Sequence, residues 1–139
     1  MYSVFLVEDE VIIRQNLRNT IEKSSEPFSC CGEAGDGELA LAIIQDVKPD
    51  ILITDIKMPG GNGMDLVRHV RENCRDTAIM LITGYPSIEG AVQAVKHGAE
   101  EYLPKPFTHE ELGAAVRRAL ENLRLQRRHG GHWLHTPAL

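Results

Sequence analysis

The sequence predicts an α/β domain in which a five-stranded parallel sheet carries helices on both faces. Three observations support this. Short apolar runs alternate with segments whose apolar residues recur about every 3.6 positions. Several of the runs are near-continuous Val, Ile and Leu, as expected of strands covered on both sides. The strand–helix unit recurs five times, which implies parallel neighbours joined by right-handed crossovers.

Taken in order, the first run is Tyr2–Val7, and the stripe Ile13, Leu17 and Ile21 follows it. The second, Phe28–Ala34, precedes Leu39, Ala40, Ile43, Ile44 and Val47; Asp36 is placed to cap that helix and Pro49 to stop it. The third, Asp50–Thr54, leads to Leu66, Val67 and Val70. The fourth, Ala78–Thr83, leads to Ile88, Val92 and Val95, with Gly98 where a left-handed residue would close the helix. A weaker run, Glu101–Leu103, precedes the longest stripe: Leu112, Ala115, Val116, Ala119, Leu120 and Leu123. Thr108 and Glu111 form a capping-box pattern that opens it.

The 139 residues fit one domain, expected over 1–125, with 126–139 read as a linker stub or disordered tail. A net charge of -5 argues against direct nucleic acid binding by this chain. No apolar run approaches the roughly 20 residues that span a bilayer, and the start lacks a basic region and long apolar run of a secretory signal. The expectation is a cytoplasmic protein with no membrane contact. Cys30, Cys31 and Cys74 show no metal-ligand spacing and read as small buried hydrophobes, the first two pointing to opposite faces of a strand. His129, His132 and His135 lie in the tail at a spacing that matches no zinc pattern.

The polar residues fall at corresponding places on this scaffold. Glu8 and Asp9 follow the first strand, Asp55 ends the third, Thr83 ends the fourth, and Lys105 lies just past the fifth. Open α/β sheets bind ligands outside the carboxyl ends of their strands. Carboxylates gathered there repel one another unless a cation neutralises them. An oxygen-only donor set suits magnesium better than zinc. Asp55 can then act as a carboxylate nucleophile toward phosphorus, with the ion and Lys105 neutralising the phosphoryl oxygens and the Thr83 hydroxyl donating to one of them. Each residue alone has an ordinary structural explanation, such as a helix cap or a loop lysine. Their convergence on one edge does not.

The chain resembles the receiver domains of bacterial two-component response regulators across residues 2–123. The resemblance lies in Val7-Glu8-Asp9-Glu10, Asp55-Ile56-Lys57-Met58-Pro59 with Gly63, Leu81-Ile82-Thr83-Gly84-Tyr85, Gly98-Ala99, and Tyr102-Leu103-Pro104-Lys105-Pro106-Phe107. It implies a flavodoxin-like fold with strand order 2-1-3-4-5. It implies that Asp55 accepts a phosphoryl group from the phosphohistidine of a sensor histidine kinase. Mg2+ would be held by Glu8, Asp9, Asp55 and the backbone carbonyl of Lys57, with Glu8 bound directly or through water. Thr83 and Lys105 would bind the phosphoryl oxygens, and Tyr102 would be the switch aromatic that follows Thr83. Lys57 and Tyr85 occupy positions that modulate dephosphorylation in the family. The expected role is a regulatory phosphoacceptor in transcription regulation, not an enzyme, relaying its state to an output domain or partner.

The fourth helix, fifth strand and fifth helix are the expected switch surface and the expected face of a homodimer. Arg117, Arg118, Arg124, Arg127 and Arg128 read there either as cations favoured near a helix C-terminus or as partners of acids such as Glu100 and Glu101 of a second copy. Two rival classes fit less well. A haloacid-dehalogenase-type phosphatase needs a second aspartate where Lys57 stands. A flavin-binding module would meet carboxylates after the first strand, where it needs phosphate-binding groups.

Overall fold

The computed structural model describes residues 2–58, 61–74 and 76–128. Five strands, β1 (Tyr2–Val7), β2 (Phe28–Ala34), β3 (Ile51–Asp55), β4 (Ala78–Thr83) and β5 (Glu101–Pro104), form one parallel sheet in the order β2-β1-β3-β4-β5. Five helices connect and follow them: α1 (Val11–Glu22), α2 (Gly37–Val47), α3 (Gly63–Asn73), α4 (Ile88–Lys96) and α5 (His109–Arg128). The expected architecture and strand order are therefore those observed. A short antiparallel pairing of Lys57–Met58 with Gly61–Asn62 lies between β3 and α3.

Side chains alternate along the strands, so the sheet divides two cores. Val4, Leu6, Ile51, Ile53, Met80 and Ile82 face α1 and α5, where Leu17, Ile21, Leu112, Val116 and Leu120 cover them. Phe5, Val7, Leu52, Ile79 and Leu81 face α2, α3 and α4. All six apolar residues expected inside α5 are buried, as are the three of α3. Fully burying a side chain of this size stabilises the fold by roughly 1.5–3 kcal/mol.

The local signals act as the sequence suggests. The Asp36 carboxylate accepts from the Leu39 N–H at 2.8 Å. Thr108 and Glu111 exchange side-chain-to-backbone hydrogen bonds, each 3.0 Å long. α2 ends at Val47, and a left-handed Lys48 caps it just before Pro49. Gly98 has φ of 98°, and a β-carbon there would lie 2.7 Å from Arg71 Nε. Cys30 and Cys31 contribute to opposite cores, separated by a register shift where β1 passes β2. Burial raises all three thiols, that of Cys30 to about 11, which makes them poor nucleophiles.

Several details differ from expectation or add to it. β3 starts at Ile51, because Asp50 directs its carboxylate to Ser3 and Arg127. Ile88, Val92 and Val95 do not face the core: they are 88%, 46% and 66% exposed, while Ala94 is the residue of α4 that packs inward. The Glu100 side chain is buried against Arg71, and Glu101 pairs with Arg118 at 2.9 Å, so both acids already have partners within the chain. α5 runs through Arg128, so the segment 126–139 begins inside that helix. The rest of that segment, with His129, His132 and His135, lies outside the described residues.

Candidate functional site

The site forms where the carboxyl ends of β1, β3 and β4 meet the residue after β5. Glu8 extends β1 by one ladder bond, its N–H donating to the Ala34 carbonyl at 3.0 Å. Asp55 is the last residue of β3 and Thr83 the last of β4. Lys105 is fixed by its own N–H, which donates to the Thr83 carbonyl at 2.7 Å. Gly63 is required beneath Asp55, because a β-carbon there would sit 2.0 Å from the Asp55 carbonyl oxygen.

These placements bring the predicted residues together. Lys105 Nζ lies 2.6 Å from Glu8 Oε1 and 2.6 Å from Asp55 Oδ2. Asp55 Oδ1 accepts from the Lys57 N–H at 3.2 Å. Carboxylate oxygens of Glu8, Asp9 and Asp55 all lie within 4.8 Å of one another. Glu8 is fully buried, Asp55 nearly so, and Asp9 is exposed at the mouth. Thr83 is buried, and its hydroxyl accepts from the Tyr85 N–H at 3.0 Å, which holds it beside the cluster.

Charge in this pocket is unbalanced. Burial raises the Glu8 carboxyl to about 7; Lys105 pulls it down, while Asp9 and Asp55 push it up. Burial works against the Lys105 ammonium too, but its contacts with Asp55 and Glu8 outweigh that and raise its pKa. Among the described residues three carboxylates face one ammonium, which Glu8 and Asp55 must share. The donor set is oxygen only. A hard divalent cation fits it, supplying the missing positive charge.

Two features flank the pocket. The Lys57 ammonium stands 4.3 Å from the centre of the Tyr85 ring, so the residues two past Asp55 and two past Thr83 meet over its mouth. Beside Lys105, a groove of about 720 Å³ runs between α1 and the start of α5, lined by Ile13, Asn16, Thr20, Phe107, His109 and Leu112. Tyr102 is partly buried, and its hydroxyl accepts from the Ser87 N–H at 3.3 Å, tying β5 to the start of α4. No sequence signal pointed to that link with Ser87.

A family model for the response regulator receiver domain matches residues 4–117. The chain belongs to that family. The receiver is 38% identical over 122 residues to the C4-dicarboxylate transport transcriptional regulatory protein DctD of Pseudomonas aeruginosa, covering 88% of this chain and 26% of that one. It is 32% identical to the transcriptional regulatory protein HptR of Staphylococcus aureus, covering 96% of this chain and 52% of that one. It thus spans about a quarter to a half of the length of these relatives. Among solved structures, the receiver domain of AraT, a response regulator of Geobacillus stearothermophilus, superposes with a TM-score of 0.82 at 30% identity, over 91% of this chain and 98% of that one. The signal receiver domain of the NarL regulator of Mycobacterium tuberculosis does so with a TM-score of 0.78 at 29% identity, over 88% and 96%. A receiver is a regulatory domain of a two-component system, not a classical enzyme, and its family implies a histidine kinase as partner. Among the described residues, no helix is long and apolar enough to cross a membrane.

Proposed function

We propose that this receiver is a phosphorylation-activated switch in which Asp55 takes a phosphoryl group from a histidine kinase. The observation that carries the reading is the contact of one ammonium, Lys105, with both Glu8 and Asp55, inside a cluster of three carboxylates. An Asp55 carboxylate oxygen forms the new bond to phosphorus as the phosphorus–nitrogen bond of the phosphohistidine breaks and the imidazole leaves. Mg2+, held by Glu8, Asp9, Asp55 and the Lys57 carbonyl, would offset negative charge on the phosphoryl oxygens. Lys105 turns its ammonium to one of these oxygens, and the Thr83 hydroxyl donates to another once it leaves the Tyr85 N–H. The kinase helices dock in the groove beside α1, where exposed Val11 and Ile12 extend the apolar surface.

Phosphorylation adds about -1.5 to -2 charges at this point. Movement of Thr83 then frees Tyr102 from Ser87 and biases the face made by α4, β5 and α5. That face carries the exposed Ile88, Val92 and Val95, an apolar stripe suited to a homodimer or an output domain. The expected place of work is the cytoplasm, in transcription regulation, with residues 1–125 as the switch domain. Incubation with acetyl phosphate and Mg2+ followed by intact-mass measurement and sizing tests this. The wild type should gain one label and change its assembly, Asp55→Asn should gain none, and Thr83→Ala should be labelled without the change in assembly. A label that persists in Asp55→Asn sinks the proposal.

A further inference from the structure

Glu8 and Asp9 reach the pocket from the turn between β1 and α1, so the aim of that turn decides where their carboxylates point. We infer that Arg14 is a positioning residue for the metal site, acting on the Glu8 main chain from behind. The inference rests on the proposed use of Glu8, Asp9 and Asp55 as a Mg2+ site. Arg14 Nη1 donates to the Glu8 carbonyl at 2.6 Å, just past the last paired residue of β1. Its Nε contacts Glu33 Oε1 on β2 at 3.3 Å, and Arg18 Nη1 holds the other oxygen of Glu33 at 2.7 Å. The guanidinium has room because residue 35 is glycine, whose β-carbon would lie 3.3 Å from Arg14 Nη1.

A planar fork with separate N–H donors can bond a carbonyl and a carboxylate at once; an ammonium on a flexible stem cannot hold both in one fixed geometry. Glu33 therefore fixes Arg14 to the edge strand, and Arg14 fixes the turn. The Arg14 side chain is 18% exposed, so this contact is shielded from water. The fold needs some cation at Glu33, and Arg18 supplies one. The role left to Arg14 is to hold the carbonyl of a residue whose own carboxylate is buried in the pocket. Partners that orient metal ligands usually change metal affinity about 10- to 100-fold when removed.

The test is Mg2+ binding by calorimetry on the full chain, with denaturation midpoints taken without metal as a check of folding. Arg14→Ala should weaken Mg2+ binding by about tenfold or more, and saturating Mg2+ should restore the rate of labelling by acetyl phosphate. Arg14→Lys should recover part of the affinity. Glu33→Gln should weaken binding in the wild-type background and have no effect beside Arg14→Ala, because it acts through Arg14. Should Arg14→Ala not fold, Arg14→Lys takes its place, and the effect of Glu33→Gln should shrink there. Unchanged affinity in a folded Arg14→Ala, a labelling defect that persists at saturating Mg2+, or an undiminished Glu33→Gln effect overturns the inference. A wild-type chain that binds no Mg2+ at millimolar concentration refutes the metal site itself, before any variant is made.

Discussion

Two buried glutamates at opposite ends of the sheet show how similar burial serves different ends. Glu8, at the carboxyl edge, and Glu100, at the amino end of β5, are both pushed up to about 7 by burial. Glu100 is fully answered: Arg71 lies 2.6 Å from one oxygen, and the Ile79 N–H donates to the other. Glu8 must share its ammonium, Lys105, with Asp55, and the Asp9 carboxylate adds a third negative charge beside them. A complete set of donors makes a staple between α3, β4 and β5. A cluster with carboxylates in excess of cations makes a place for an incoming cation and a phosphoryl group. The balance of charge, more than burial itself, separates structure from function here.

The contrast can be broken or sharpened by substitution. The largest effect on stability is expected at the staple: Glu100→Ala leaves the Arg71 guanidinium buried against lost charge and should cost about 3–5 kcal/mol in urea unfolding, with no rescue by Mg2+. Lys105→Ala should cost less, on the order of 2 kcal/mol, since Glu8 can take up a proton, and Mg2+ should return part of the loss. Equal behaviour of the two variants toward Mg2+ would abolish the distinction.

A smaller effect concerns pH. The folded pKa of Glu100, about 7, lies above its ordinary value of 4.5, so the folded state holds its proton longer than the unfolded chain. Stability from this group is full below pH 4.5 and is lost as pH rises to about 7. Relative to Glu100→Gln, the wild type should lose stability across that window with a slope of at most about 1.4 kcal/mol per pH unit, measured by unfolding at pH 5 and pH 8. A parallel pH profile for the two proteins would count against it. The smallest change in stability is expected at Ile88→Lys, within about 0.5 kcal/mol because the residue is exposed. The same substitution should abolish phosphorylation-dependent dimerisation in a sizing experiment.

Much of the fold could be read in advance because its signals are local. Strand ends fell within one residue, the Thr108–Glu111 box and the Asp36 cap formed as their spacing suggests, and the stripes of α3 and α5 are buried. The stripe of α4 was misjudged for a physical reason: periodicity identifies an apolar face but not what covers it. In α4 the small Ala94 meets the sheet, and the larger Ile88, Val92 and Val95 turn outward. The contact that answers Glu100 within the chain has no local signal either. Arg71 stands 29 residues before Glu100, with no local pattern linking them.

At the site, the sequence by itself determined which residue types stand at the strand ends, because strands and their order follow from hydrophobic patterning and crossover handedness. It therefore placed Glu8, Asp9, Asp55, Thr83 and Lys105 on one edge. Only the tertiary structure decided how charge is shared among them: one ammonium between two carboxylates, a Thr83 hydroxyl held by a main-chain N–H, and a turn held by Arg14. Such sharing depends on separations of a few ångströms between segments far apart in the chain, and electrostatic energies at that range are set by distance and burial, which a linear pattern does not encode.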